Sequence, residues 1–482
     1  MADFSMLLRG GRIVDGTGSP SRIGDVAIIG GQIASIAYAG ELRCAKAECE
    51  IDAYGLIVAP GFIDAHTHDD RAVLIDPQMT CKLSQGVTTV ITGNCGISLA
   101  PLADIEVVAP LTLLGNSQDF RYRQTRDYFD AIRNARPAVN VASLVGHITL
   151  RLACMDDLSK SANPAELSKM SSLLSESLDA GAIGFSTGLF YHPNAAADID
   201  EVSALASIVA KAGGIYATHI RDERNHIIEA IYEATTTSRQ AGISLVISHH
   251  KCAGPDNHGR STETLALIDQ LGESQDIAID VYPYAAGSTL LDPQYVDERI
   301  RVMVTWSRDY PEFIGRDISE IALEMGCTQK EAAAKLMPAG AIYFSTDEQD
   351  VRRILAYRKA MIGSDGLPHD PHPHPRLWGT FPRVLGHYCR DIGLFSLETA
   401  VHKMTGLPAE TFRLKGRGGI KEGNIADIVI FDETEIKDVA TFQDPQKPAY
   451  GIDKVIVNGS VAWANGQPTG ERTGSVITRS QV

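Results

Sequence analysis

Short apolar runs alternate with longer amphipathic stretches through the middle of the chain, while both ends carry short apolar runs broken by turn glycines. At the N-terminal end, Leu7–Gly16 is β-rich between glycines, and Asp25–Ile36 predicts two strands about a Gly30-Gly31 hairpin turn. The C-terminal end has the same character at Ala426–Phe431 and Asp453–Gly459. Two such ends would otherwise need separate cores, so residues 1–60 and 415–482 are expected to share one small β-domain. Between them, residues 61–414 alternate strand and helix. The strand candidates are Val58–Asp64, Thr88–Gly93, Val139–Val145, Ala182–Ser186, Ile215–Thr218, Ser244–Ser248, Ile277–Tyr282 and Ala360–Gly363. Helical patterns separate most of them, for example Ala165–Ala180 and Glu223–Ala241. Alternation of this kind argues for a parallel sheet, and eight units suggest an α/β fold closed as a (β/α)8 TIM-like barrel.

The connection before the last strand is too long for a simple crossover. Residues from about 285 to 354 hold Tyr295–Val304, a turn at Pro311 and a helical pattern over Ser319–Leu336. An insertion at the working end of a barrel is a candidate lid. The tract His369–Pro375 has alternating histidines and prolines. Proline at alternate positions fixes it as an extended loop, which favours a supporting role over metal ligation.

Composition narrows the function classes. The 482 residues are 44% hydrophobic and 22% charged, as in a globular protein outside the membrane. The net charge of −16 makes nucleic acid and anionic membranes unlikely partners and leaves small molecules. Eight scattered cysteines without a CxxC pair argue for a reducing compartment. The N-terminal sequence lacks the basic and apolar regions of a secretory signal, so a cytoplasmic location is expected.

Candidate chemistry lies where strands end. In Gly61-Phe62-Ile63-Asp64-Ala65-His66-Thr67-His68, two histidines one residue apart on extended backbone face the same side, so both can meet one metal ion. The second strand ends at Cys95, the third at His147 and the fifth at His219. The sixth ends at His249-His250-Lys251, the seventh at Tyr282 and the eighth at Asp365. One thiolate, several imidazoles and one carboxylate around a barrel mouth suit zinc.

At these motifs the chain resembles a known family. Pro60–His68, Gly363-Ser364-Asp365 and Gly419–Val429 look like the amidohydrolase superfamily. Ser84–Gly96, Ile247–Lys251, Asp280–Tyr284 and Gly363–His369 resemble, more narrowly, the D-aminoacylases, which are N-acyl-D-amino-acid deacylases. The likeness spans essentially the whole chain. Many superfamily members carry a carboxylated lysine at the end of the fourth strand, where this chain has Gly184-Phe185-Ser186-Thr187-Gly188. The resemblance gives that role to Cys95. It implies a tight zinc site of Cys95, His219 and His249, and a weaker one of His66 and His68 that shares Cys95. It also implies Asp365 as general acid/base, with Lys251, Tyr282, Ser288 and Arg376 binding the carboxylate of a small N-acyl-D-amino acid.

Side-chain preference is read from three arginines just beyond strand ends, Arg71, Arg221 and Arg224. They either meet a second substrate carboxylate or pair with Asp69, Asp70, Asp222 and Glu223 beside them, and the expectation is the former, a substrate of the N-acyl-D-glutamate type. The alternatives are a deacylase for hydrophobic D-amino acids, a cyclic-amide hydrolase of the hydantoinase kind, and a non-catalytic scaffold that has lost its ligands. Cys252, next to Lys251, is a further residue that can line the site, although a structural role is simpler.

Overall fold

A computed structural model of the chain describes residues 2–479. Eight parallel strands form the barrel: Phe62–Asp64, Val87–Thr92, Asn140–Gly146, Gly184–Gly188, Ile215–His219, Leu245–Ile247, Ile277–Val281 and Ala360–Ile362. They pair in sequence order, and the ring closes between first and eighth through Ala65 N to Ile362 O at 3.2 Å and Asp365 N to His66 O at 2.8 Å. Ile63, Ile91, Leu144, Ile183, Ile215, Val246 and Met361 fill the interior, and Phe412, Leu414 and Ile477 plug the end opposite the strand C-termini. The barrel interior is therefore a packed core, and the candidate chemistry lies at the C-terminal ends of the strands.

Local chemistry explains the helices around it. Pro164–Ala180 begins with a capping box, in which Asn163 caps Glu166 N and Glu166 answers to Asn163 N. It stops at Gly181, whose φ of +119° a side chain rarely adopts. The amphipathic stretch Glu223–Ala241 yields a helix only from Ile227, because Glu223 is drawn to the barrel mouth.

The small domain is one nine-stranded sheet, and both chain ends contribute to it. They join where Ile57–Pro60 pairs antiparallel with Ile428–Phe431, with Ile13 on the other side. The expected strand Val58–Asp64 is thus two strands. Residues up to Pro60 belong to the small sheet, and Phe62 onward belong to the barrel. Gly61 permits the crossing, since a Cβ there would lie 2.2 Å from the Thr88 side chain. Residues 474–479 depart from the expected 415–482 unit. They run under the barrel, where Ile477 N donates to Val141 O at 2.8 Å.

The insertion has its own three-stranded antiparallel sheet, Gly287–Leu290, Val302–Ser307 and Ala339–Tyr343, with its own apolar core. The helical pattern over Ser319–Leu336 is two helices, Ile318–Met325 and Gln329–Leu336. Gly326 ends the first with φ +64°, and Thr328 caps the second. The insertion also stops short of residue 354, because Glu348–Ala356 packs on the barrel helix Ser261–Leu271 and on the eighth strand. Its tip reaches the barrel loops. Tyr191 Oη and Thr289 Oγ1 are 3.1 Å apart, and the rings of Phe190 and Tyr295 are 5.3 Å apart. If this segment closes over the mouth, a ligand filling the mouth will slow proteolysis within residues 285–354. Equal cleavage rates with and without the ligand would count against closure.

Candidate active site

The strand ends bring one thiol and four imidazoles together at the mouth. Cys95 Sγ lies 3.3 Å from His66 Nε2 and 3.3 Å from His249 Nε2. Three ligand sets have donor atoms within 4.8 Å of one another: His66–His68–Cys95, Cys95–His219–His249 and His66–His249–Asp365. All six residues are buried. Cys95, His249 and Asp365 each adopt positive φ, +54°, +36° and +49°. Backbone of this kind is unfavourable for residues with a Cβ, and it turns each side chain inward off its strand end. Room for the Cys95 turn comes from Gly93, where φ is +75° and a Cβ would lie 2.1 Å from Leu144 O.

The electrostatics favour an anionic sulfur. Burial opposes ionisation of Cys95, but the His66 and His249 imidazoles beside it hold its pKa well below that of a free thiol. Burial likewise opposes charge on Asp365, and Arg376 with His249 and His68 outweighs it, so the carboxylate is ionised far below its usual range. Asp365 Oδ1 stands 3.2 Å from His68 Nε2, and its Oδ2 stands 2.8 Å from Arg376 Nη1. Carboxylates behind the rings orient them. Asp280 Oδ2 meets His66 Nδ1 at 3.3 Å, and Glu223 Oε1 meets His249 Nδ1 at 2.9 Å, which turns both Nε2 atoms toward the sulfur.

The donor set fits a zinc ion. It combines one thiolate with four imidazoles, and those of His66 and His249 have their outer nitrogens held by carboxylates. Among the described residues, both ring nitrogens of buried His219 lack a hydrogen-bond partner, and Glu223 Oε2 stands 3.8 Å from Nε2. A buried imidazole with neither nitrogen engaged is expected of a ligand rather than of a packed core histidine.

A cavity opens above this cluster. Lys251, Tyr282, Ser288 and Arg376 line it together with His68, Cys95, His219, His249 and Asp365. His66 sits fully buried behind them. Tyr282 Oη, Ser288 Oγ and Arg376 Nε are buried without a hydrogen-bond partner among the described residues. Lys251 Nζ donates to Glu223 Oε1 at 2.6 Å.

Other strand-end residues point elsewhere. His147 Nε2 meets Glu201 Oε1 at 2.9 Å, with its ring against Phe185, so it faces the helices. His250 meets Thr264 Oγ1 at 2.8 Å, beyond the left-handed turn at His249, and so faces the surrounding helix rather than the mouth. Cys252 packs in the apolar core rather than in the cavity. His372 and His374 bond the carbonyls of Phe442 and Ala286 at 2.7 and 3.0 Å and tie their loop to its neighbours.

The three arginines divide. Arg71 pairs with Asp119 at 2.8 Å, and Arg221 pairs with Glu233 at 2.7 Å while capping the carbonyls of Ala195 and Ala197. Neither uses the acids beside it in sequence. Arg224 lines the cavity with its guanidinium 4.5 Å from the Tyr295 ring centroid, and it has no carboxylate partner among the described residues.

Asp280 and the orienting role of Glu223 escaped the sequence reading. Period-two alternation places Asp280 on the same face as Tyr282, and Glu223 follows His219 by four residues; those are the signals that could have found them. Phe190 and Tyr191, whose rings flank His219 at 5.2 Å each, had no motif to mark them.

A family model described as the amidohydrolase family matches residues 50–306 and 330–462. The chain belongs to the amidohydrolase family. Within it, this amidohydrolase is 50% identical to the D-aminoacylase of Alcaligenes xylosoxydans xylosoxydans, over 99% of the chain and 98% of that protein. It is 48% identical to the N-acyl-D-aspartate deacylase of the same organism, over 99% and 95%. Among solved structures it superposes with TM-score 0.95 and 44% identity on the N-acyl-D-glutamate deacylase of Bordetella bronchiseptica. That structure, complexed with zinc and a phosphonate mimic of the tetrahedral intermediate, is matched over 98% of this chain and 99% of its own. The L-hydantoinase of Arthrobacter aurescens matches at TM-score 0.60 and 19% identity over 98% and 100%, a likeness of fold alone.

Replacing Cys95 by Ala removes the sulfur common to two of the ligand sets. The Cys95→Ala protein should lose tight zinc binding, measured by equilibrium dialysis and metal analysis. Retention of one tightly held zinc per chain would refute the assignment.

Proposed function

We propose that the chain is a zinc-dependent N-acyl-D-amino-acid deacylase, releasing a carboxylate and a free D-amino acid. The observation that carries this reading is the anion seat in the cavity. Tyr282 Oη, Ser288 Oγ and Arg376 Nε are buried donors without partners, and they face the same cavity as the Cys95–His219–His249 set. Unpaired buried donors are costly, so a ligand that supplies acceptors is the expected occupant. An α-carboxylate would supply acceptors for all three, with Arg376 offering Nε while Asp365 and the Ser288 carbonyl hold its Nη1 and Nη2.

Cys95, His219 and His249 would hold the zinc, and His66 and His68 would form a weaker site sharing Cys95. The ion supplies a charge that polarises an acyl carbonyl and makes water more acidic. Asp365, ionised in its setting beside Arg376, takes a proton from the attacking water and gives it to the departing amine nitrogen. Asp280 and Glu223 keep the imidazoles in place. Lys251, tied to Glu223 and 5.7 Å from the Tyr282 ring centroid, adds positive charge near the carboxylate seat.

The rival readings lack comparable support. The end of the fourth strand has no lysine to bridge two metals, and likeness to a hydantoinase is one of fold. A scaffold that had lost its ligands would not keep three sets of donors within 4.8 Å. No helix among the described residues is long and apolar enough to cross a membrane, and all eight cysteines are unpaired. With a net charge of −16, we read the chain as a cytoplasmic enzyme acting on a small molecule, with neither nucleic acid nor membrane as partner.

For the side chain, Arg224 favours an acidic substrate of the N-acyl-D-glutamate kind. It is the one of the three arginines that faces the cavity without a carboxylate. The aromatic surroundings, Phe190 and Tyr295, favour the second reading, a hydrophobic D-amino acid.

Two measurements test these statements. Asp365→Asn should keep the zinc and lose kcat by at least ~10²-fold; a variant that loses metal yet regains full turnover on reloading would make Asp365 chiefly a ligand. A screen of N-acetyl-D- and L-amino acids should show turnover of the D-enantiomers, with kcat/KM higher for D-glutamate than for D-leucine. Faster turnover of the leucine compound would leave Arg224 as a stacking partner of Tyr295 and overturn the acidic preference.

A further inference from the structure

Lys82 lies on the short helix Thr80–Leu83, outside the cavity lining, with its side chain fully buried. Burial opposes its charge, and Asp64 and Asp69 hold it protonated. Its Nζ lies 2.8 Å from Asp64 Oδ2, 3.0 Å from Ser364 Oγ and 3.1 Å from Asp69 Oδ2. The contacts to Asp64 and Ser364 are hydrogen bonds, and that to Asp69 is an ion pair. Each acceptor is a near neighbour in sequence of a site residue: Asp64 of His66, Asp69 of His68, Ser364 of Asp365.

Further bonds spread the grip. Asp64 Oδ1 accepts from Ser364 N at 2.7 Å and from His66 N at 3.4 Å. Ser364 Oγ accepts from Gly366 N at 3.2 Å. This is the seam where the barrel closes. Backbone there is joined by Asp365 N to His66 O at 2.8 Å and His68 N to Gly366 O at 3.3 Å. Asp365 has a φ of +49°, which only its surroundings can maintain. A lysine needed only to neutralise one buried acid would not have to reach both strands and the loop between His68 and the first helix.

We propose that Lys82 is a positioning residue, whose ammonium holds His66, His68 and Asp365 in mutual register across the closing seam. The inference rests on the reading that these three residues serve the site. Among the described residues, Lys82 Nζ makes no bond to the strand ends that carry Cys95, His219 or His249. Its loss therefore bears on the His66–His68 side and spares the other.

The test uses full-length Lys82→Met and Ser364→Ala proteins, titrated with zinc alone and assayed on the N-acetyl-D-amino acid that the wild type turns over fastest. Both variants should weaken the second zinc site at least ~10-fold and leave the first unchanged. Turnover should fall about 10²-fold for Lys82→Met and about 10-fold for Ser364→Ala, as for a displaced catalytic group, with KM within about 2-fold. The double variant should lose no more than Lys82→Met alone, since both changes break one cluster. Unchanged second-zinc affinity and kcat in Ser364→Ala would overturn the proposal. A loss falling equally on both zinc sites, or on KM, would overturn it too. If Lys82→Met does not fold, Ser364→Ala decides. If the wild type hydrolyses no N-acetyl-D-amino acid, the deacylase reading fails, and the zinc titration still decides the role of Lys82.

Discussion

The arrangement at the mouth turns on the Cys95 sulfur, 3.3 Å from both His66 Nε2 and His249 Nε2. Its negative charge lets several buried imidazoles converge from the first, fifth and sixth strands without leaving an unbalanced cluster. It also makes the ligand sets overlap, because two of the three include Cys95. The second strand must end so that this side chain turns inward, which the positive φ of Cys95 and the glycine at position 93 permit.

Around that sulfur, charges alternate outward. Imidazoles come next, then Asp280 and Glu223 behind the rings, with Asp365 facing the cavity. Cations follow, Arg376 on Asp365, Lys251 on Glu223 and Lys82 on Asp64 and Asp69. Each layer compensates the one inside it, as a dry interior requires. The cavity side is where compensation is incomplete. Tyr282 Oη, Ser288 Oγ and Arg376 Nε have no acceptor among the described residues, and that deficit points to an anionic ligand.

Much of this was legible in the chain because barrels place chemistry at strand ends, where period-two alternation and short apolar runs mark the positions. The barrel and the shared small sheet followed from such runs, and the motifs around His66, Cys95, His249 and Asp365 carried the family resemblance. Less legible was anything set by tertiary contact. One apolar run, Ile57–Asp64, serves two sheets, and only the Gly61–Thr88 approach shows where it divides. His147 and His250 sit at strand ends like their neighbours, yet Glu201 and Thr264 take them outward. Arg71 and Arg221 reach past adjacent acids to Asp119 and Glu233, which sequence proximity does not reveal. Lys82 resembles any surface lysine on a short helix until Asp64, Asp69 and Ser364 are seen to converge on it.

The central claim is that a metal ion sits on Cys95 at the barrel mouth, opposite the anion seat. The most direct test is a crystal structure of the zinc-loaded protein with an N-acetyl-D-amino acid, with anomalous data at the zinc edge. A peak is expected about 2.3 Å from Cys95 Sγ and about 2.0–2.1 Å from nitrogens of His219 and His249. The ligand carboxylate should meet Tyr282, Ser288 and Arg376. A zinc peak away from Cys95, or a carboxylate seated elsewhere, would contradict the claim.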